Sequence, residues 1–303
     1  MSVTALPATA AATAQRRRNY ARRYFWFVVP AAVVTCAVIL FPWAFTLWIS
    51  LFDWHIGGAR SWVGLDNYAA LFTDARFGWA MLRTLFYTAL AVVFPVGLGL
   101  LAALAFHRKF PLRGLARTIF ILPMMATPVA VALVWTMMFH PQLGVLNWLL
   151  TAAGLPPSMW VYSASTVIPT LVLVEVWHWT PLCMLLILGG LASLPVDPYE
   201  AAKIDGATPW QAFRHVTLPL LAPFIVVALI IRTIDALKAF DTIYVITQGG
   251  PGQASETINI FLYLQAFAFY NMGYASAVVV VFFSIILVLA AALMWTRQRV
   301  KLG

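Results

Sequence analysis

Six apolar runs, each about as long as a helix that crosses a bilayer, constrain this chain more than any other feature. A crossing takes roughly 20 apolar residues. The runs are Tyr24–Phe52, Thr84–Phe106, Thr118–Phe139, Val167–Leu194, Val216–Ala236 and Ala275–Trp295, the last being the second half of an uncharged stretch, Thr257–Thr296. Hydrophobic residues make up 63% of the chain and charged residues 10%, against about a quarter charged in a soluble domain. The expectation is an all-α, polytopic membrane protein: a basic N-terminal arm over residues 1–23, a six-span domain over 24–296 and a short tail over 297–303. The first run is too long for a removable signal peptide and no small-residue cleavage site follows it, so it reads as a retained span. Residues 1–15, rich in Ala and Thr, read as a disordered tail.

Direction follows from the basic residues. Arg16, Arg17, Arg18, Arg22 and Arg23 precede the first run; Arg108, Lys109, Arg113 and Arg117 follow the second; Lys203 and Arg214 follow the fourth; Arg297, Arg299 and Lys301 follow the sixth. All fall on one side, which the positive-inside rule makes cytoplasmic, together with both termini. The net charge of +9 is then explained by membrane orientation, and no nucleic-acid partner is expected. Cys36 and Cys183 lie inside apolar runs, too far apart in sequence to suggest a metal site or a disulfide framework. The outer connections carry turn signals, "SWVGLDNY" (Ser61–Tyr68), "GLPPSMW" (Gly154–Trp160) and "TQGGPGQ" (Thr247–Gln253), and read as interfacial pieces.

One polar stretch interrupts the apolar pattern, "DPYEAAKIDGATPWQAFRHVTLP", Asp197 to Pro219. Asp197, Pro198 and Glu200 have the spacing of a capping box, and Thr208, Pro209 and Gln211 repeat it. Gly206 sits between them as a C′ glycine. The spacing predicts two short cytoplasmic helices, about 197–205 and 208–216, joined by a tight turn. Ala201 and Ala202 offer a small face for close approach, while Trp210 and Phe213 share a face with no obvious place in lipid. On spacing alone, a docking knob and an amphipathic linker lying on the membrane are both open.

Glu200-Ala201-Ala202, three residues, Gly206, nine residues and Val216-Thr217-Leu218-Pro219 resemble the EAA loop of binding-protein-dependent ABC importer permeases, with Val216 in the place of the usual Ile. "VGLDNY" (Val63–Tyr68), "LASLPVDPYEAAKIDGA" (Leu191–Ala207) and "AFDTIYVITQGGPG" (Ala239–Gly252) are similar to the carbohydrate-uptake branch, specifically to its first, maltose-transporter-type permease. The resemblance implies a bacterial inner-membrane subunit that pairs with a second permease. It also implies two ATP-binding subunits docking on Glu200–Pro219 and an extracytoplasmic solute-binding protein. Glu200, Ala201, Ala202, Asp205, Gly206, Trp210, Phe213, Leu218 and Pro219 would then couple the chain to the ATPases. ATP and magnesium belong to those partners. The chain has no phosphate loop of the G-x-x-x-x-G-K-[ST] type, no LSGGQ-like segment and no H-E-x-x-H or G-x-S-x-G, so it is expected to bind no cofactor or metal and to catalyse no reaction.

Ionisable groups at membrane depth cost a few kcal/mol and mark candidate sites. Glu175 and His178 stand three residues apart in the fourth run, where they could pair on one inward face, with Trp177 and Trp179 beside them. They read either as a sugar pathway, hydroxyls to the polar groups and C–H faces to the indoles, or as an interfacial anchor within an aromatic belt. Arg232, Asp235 and Lys238 form a plus–minus–plus face in the fifth run, where an internal salt bridge and substrate contact are both open. Asp241, Tyr244 and Gln248 follow near the outer mouth, ahead of the Gly249–Gly252 turn. Two rivals stand beside carbohydrate or polyol import: the same machinery carrying glycerol phosphate or another small polar solute, and a stand-alone transporter relaying protons through Glu175, His178 and Asp235.

Overall fold

The computed structural model describes residues 8–301, with side chains described over 25–295. Residues 1–7 and the side chains of the basic arm and tail lie outside the described residues, but from Ala8 the backbone is helical, so residues 8–15 are not the disordered tail their composition predicts. The first helix, α1 (Ala8–Ile49), leads to a two-stranded ribbon, β1 (Phe52–Asp53) against β2 (Ser61–Trp62), and to α2 (Asp66–Thr73). The second span, α3 (Ala75–His107), begins nine residues before the predicted Thr84. Asp74 causes this by accepting from the N–H groups of Arg76 and Phe77, which satisfies orphan donors of the first turn.

The third crossing departs most from expectation. α4 (Arg113–Ile121), extended by a 3₁₀ turn to Met125, and α5 (Pro128–Met138) meet at 96°. Pro123 and Pro128 cannot donate backbone hydrogen bonds, and Thr127 caps the new helix through the Ala130 N–H. Beyond come α6 (Val145–Ala152), the long span α7 (Val167–Ala192), then α8 (Asp197–Ile204), α9 (Pro209–Ala212) and α10 (Leu218–Leu237). The chain finishes with α11 (Asp241–Thr247), α12 (Ile258–Tyr263) and the last span, α13 (Met272–Lys301). Among the described residues, five helices are long and apolar enough to cross a bilayer, and the bent pair, counted as one span, makes six.

The principal core lies where α3, α7 and α10 meet. Leu171, Met184 and Ile187 of α7 are completely or almost completely buried, as are Ala91 of α3 and Leu221 of α10. Gly99 permits the contact between α3 and α7: a Cβ there would stand 2.5 Å from the Cys183 Cβ. By contrast, most of the described side chains of α1, between 25 and 49, are exposed, with Phe27, Val38 and Phe41 all more than 60% exposed. Such a surface suits lipid or another membrane helix and not water.

A second, smaller core gathers the ends of the helices farthest from the polar hairpin. Arg76 grips Glu256 through two parallel hydrogen bonds of 2.8 Å, and the Tyr274 hydroxyl donates to Asp74 at 2.8 Å. The Ile258 N–H donates to the Thr84 hydroxyl at 2.8 Å. Together these fasten the ends of α3, α12 and α13.

Candidate functional site

Two of the polar groups predicted at membrane depth come together, but with partners other than those expected. Glu175 does not pair with His178. Its Oε2 accepts from Arg232 Nη2 at 2.9 Å, while His178 Nε2 donates to the Ala126 carbonyl at 3.2 Å. The reason is the bend in the third crossing: Ala126 lies in the break, where its carbonyl lacks a helical partner, and His178 supplies one.

Arg232 is completely buried. Besides Glu175, its Nη2 donates to the Ala91 carbonyl at 3.2 Å, and its Nη1 donates to Asp235 Oδ2 at 2.6 Å. The guanidinium carbon stands 4.9 Å from the centre of the Trp179 ring, within cation–π range. Asp235 thus pairs with Arg232 and not with Lys238, which ends α10 and is exposed. Tyr87 also reaches this region from α3, 1% exposed. Sequence reading passed it over because a single Tyr within an apolar run looks like core. The signal available was its hydroxyl, a polar group in an apolar run, which is buried here without a hydrogen-bond partner.

Beside the network opens a cavity of about 200 Å³, bordered by Glu175, Trp179, Asp235, Lys238, Phe240 and Asp241. Pro128, at the start of the second half of the bent crossing, completes its wall. Trp177 is not part of it: that indole is 44% exposed and packs edge-on against Trp135, 5.6 Å away. Tyr244 joins an aromatic cluster instead, stacked on Phe240 at 5.1 Å and set edge-on to Tyr263 at 4.8 Å. Its hydroxyl donates to that of Tyr263, which raises the Tyr244 phenol above its ordinary pKa. Gln248 is exposed, with φ of 50°, and the glycine turn after it closes on itself: the Gly249 carbonyl accepts from the Ser255 N–H at 3.1 Å. Phe240, Pro128, Ala239 and Thr242 line the cavity but were missed by charge-based reading, since nothing in their local sequence distinguishes them from packing.

At the opposite end of α7 and α10 lies the polar hairpin. Its second capping box forms, with Thr208 and Gln211 bonded reciprocally, but the first does not. Val196 adopts helical angles and takes the cap position, placing Asp197 one residue inside, where it favours the helix dipole without capping. Gly206 has φ of +72°, and the Ala207 and Gly206 N–H groups return to the Ala202 and Lys203 carbonyls as a Schellman turn. Trp210 and Phe213 lie 5.5 Å apart, and Glu200, Ala201, Asp205 and Trp210 are exposed. Residues 213–217 form a π turn that carries α9 into α10. Pro219 has no N–H and its ring crowds the His215 carbonyl, a conflict that a widened turn accommodates. Tyr199 braces it, its hydroxyl donating to that of Thr217 at 3.1 Å.

Multiple apolar crossings, a small polar cavity between them and an exposed capped hairpin define a membrane transport subunit. Residues 95–302 match the binding-protein-dependent transport system inner membrane component family, and the chain belongs to it, as a permease subunit of an ABC importer. It is 36% identical to a trehalose/maltose transport system permease protein of Thermococcus litoralis, over 86% of this chain and 88% of that one. It is likewise 36% identical to a trehalose transport system permease protein of Mycobacterium tuberculosis, over 95% and 93%. A sulfoquinovosyl glycerol transport system permease protein of Agrobacterium fabrum is 35% identical, over 85% and 84%. The fold matches that of a bacterial ABC transporter involved in alginate import, with a TM-score of 0.81 at 23% identity, over 94% of this chain and 99% of that one.

Proposed function

We propose that this permease carries a neutral carbohydrate or polyol, and that the cavity beside Asp235 lies on its path. The observation that carries the reading is the state of Arg232. Its two terminal nitrogens serve Glu175, Asp235 and the Ala91 carbonyl, and the side chain has no exposed surface. Only Nε is left without a partner, and it is buried, so the side chain offers no exposed guanidinium face to a phosphate, which weighs against glycerol phosphate. What the cavity offers is the 44%-exposed Asp235 carboxylate and the Trp179 ring, a hydroxyl acceptor and a flat apolar face, which suit a sugar. The named cargo of the trehalose permeases supports the same class.

In this reading the chain works with a second permease, two ATP-binding subunits and an extracytoplasmic binding protein. Both termini and the hairpin face the cytoplasm. The hairpin, from Glu200 to Pro219, receives the ATPases: Trp210 and Phe213 meet the partner groove while Ala201 and Ala202 permit close approach. The chain itself hydrolyses nothing and holds no metal. Family membership favours this scheme over a stand-alone proton-coupled transporter, as does the engagement of Glu175 in an ion pair.

The test is competition for uptake by cells expressing the whole system. Neutral disaccharides and polyols should compete with labelled trehalose, and glycerol phosphate should not. Competition led by phosphate esters, or uptake abolished by an uncoupler while ATP is maintained, would refute the proposal.

A further inference from the structure

A cavity of about 780 Å³, larger than the one beside Asp235, opens where α3 and α7 end against the hairpin. Leu101, Leu104, His107 and Arg108 from α3 and its end, Leu191 of α7, and Trp210 and Phe213 of the hairpin line it. Leu101 is 62% exposed and Trp210 67% exposed. The groove changes character along α3: Leu101 lies roughly 9 Å inside the helix end, at hydrocarbon depth, and Arg108 follows the last helical residue. Lys109 and Arg113 continue the positive charge just beyond.

A soluble partner would have to push side chains to bilayer depth to fill such a groove, and a free phosphate would leave the leucines uncovered. An amphiphile with an anionic head and apolar tails matches both parts at once, as basic pockets between membrane helices match acidic lipid headgroups. We propose that this groove binds one anionic phospholipid, its phosphate on Arg108 and an acyl chain along Leu101, Leu104 and Leu191. Phe213 and the edge of Trp210 that lines the groove border that chain, and the rest of the 67%-exposed indole stays available to the ATPase, so the lipid braces the hairpin against the span ends. This site goes beyond the transport reading and is independent of the cargo; it requires only that the hairpin lie at the membrane boundary.

The experiment is to purify the assembled transporter in mild detergent, without cargo or ATP, and quantify the retained lipids by mass spectrometry. The variants are Arg108→Gln, which removes the phosphate partner, and Leu104→Trp, which fills the groove from a partly exposed position. About one phosphatidylglycerol or cardiolipin per complex is expected. Retention should fall fivefold or more in Arg108→Gln, about the weight of one basic residue at an anionic surface. Leu104→Trp should lose it comparably, with both variants eluting as intact complexes. Added phosphatidylglycerol should raise the thermal stability of the wild-type complex, and soluble glycerol phosphate should not.

Unchanged retention in both variants overturns the proposal, as does equal retention of phosphatidylethanolamine. Stabilisation by glycerol phosphate would mark a phosphate site instead. A photo-crosslinker at Leu104 that captures the second permease or an ATPase would show that protein fills the groove. Because the readout needs no uptake, its failure leaves the import reading standing, and failure of import leaves this one testable.

Discussion

Replacing Glu175 by Gln keeps the side chain's size and removes the charge that faces Arg232 at 2.9 Å. The Arg232 and Glu175 side chains are 0% and 5% exposed, so no water takes over the solvation of the guanidinium. Removing one member of a buried pair costs about 3–5 kcal/mol. Asp235 remains bonded at 2.6 Å and neutralises part of the charge, although it is itself 44% exposed. The cost of Glu175→Gln therefore belongs at the lower end, about 3 kcal/mol. Arg232→Met should cost more, because it leaves two carboxylates facing each other's field without a cation. Glu175→Gln with Arg232→Met removes both buried charges and should be milder than Arg232→Met alone, since replacing a whole buried pair by uncharged residues is often neutral. The assay is thermal unfolding of the purified transporter in detergent, read as a double-mutant cycle. If Glu175→Gln matches wild type, or if the double variant is worse than the sum of the singles, Arg232 is not held as described, and the case against an anionic cargo falls with it.

Three further outcomes follow from local geometry. Gly206→Val forces a β-branched residue into a left-handed conformation at a cost of more than about 1 kcal/mol, although nothing lies within 4 Å of the added Cβ; the chain should insert normally, yet co-purify no ATPase and support no uptake. Gly99→Leu drives a side chain into Cys183 and the Met184 backbone, 2.5 and 2.9 Å from the new Cβ; it should lower thermal stability by about 1–3 kcal/mol, while Gly97→Ala, with open space around it, should not. Glu256→Gln releases the Arg76 grip and should destabilise the transporter, with the Arg76→Glu/Glu256→Arg exchange recovering part of the loss in the same melting assay.

What the sequence disclosed and what it hid divide along one line, the range of the interaction involved. The spans are legible because crossing length is a property of each run by itself. The Gly206 turn and the Thr208–Gln211 box are legible because every bond in them closes within a few residues. The Asp197 box failed at that same range: Val196 had no signal of its own, and its helical angles displaced the cap by one position. Glu175 and Arg232 stood out as charges in apolar runs, but their pairing joins residues 57 apart, and local spacing offered His178 as a nearer, wrong partner. Arg76 and Glu256, 180 residues apart, gave no signal at all. Prolines lie within the spans at 95, 123, 128 and 181, but nothing local marks which of them accompany a bend of 96°, where His178 reaches across to the Ala126 carbonyl.

The buried network and the hairpin belong to one mechanical unit. α7 runs into α8, and α9 runs through the π turn into α10, so the hairpin joins these two spans at one end. Glu175 of α7 and Arg232 of α10 join them again roughly 25 Å away, counting from Ala192 at helical rise. Two helices pinned at both ends resist shearing past each other, because a slide of one turn would separate an ion pair closed at 2.9 Å in a site without water to replace it. In the coupling proposed above, a push on Trp210 would reach Asp235 as displacement of the pair together, and the π turn is the one place in α9–α10 where the backbone ladder is already widened. Motion should concentrate there and at the bend beside Pro128, which shares the cavity wall with Asp235 but belongs to neither pinned helix. The cavity accordingly lies between a rigid wall, α7 with α10, and a jointed one, and it changes shape when the first moves against the second.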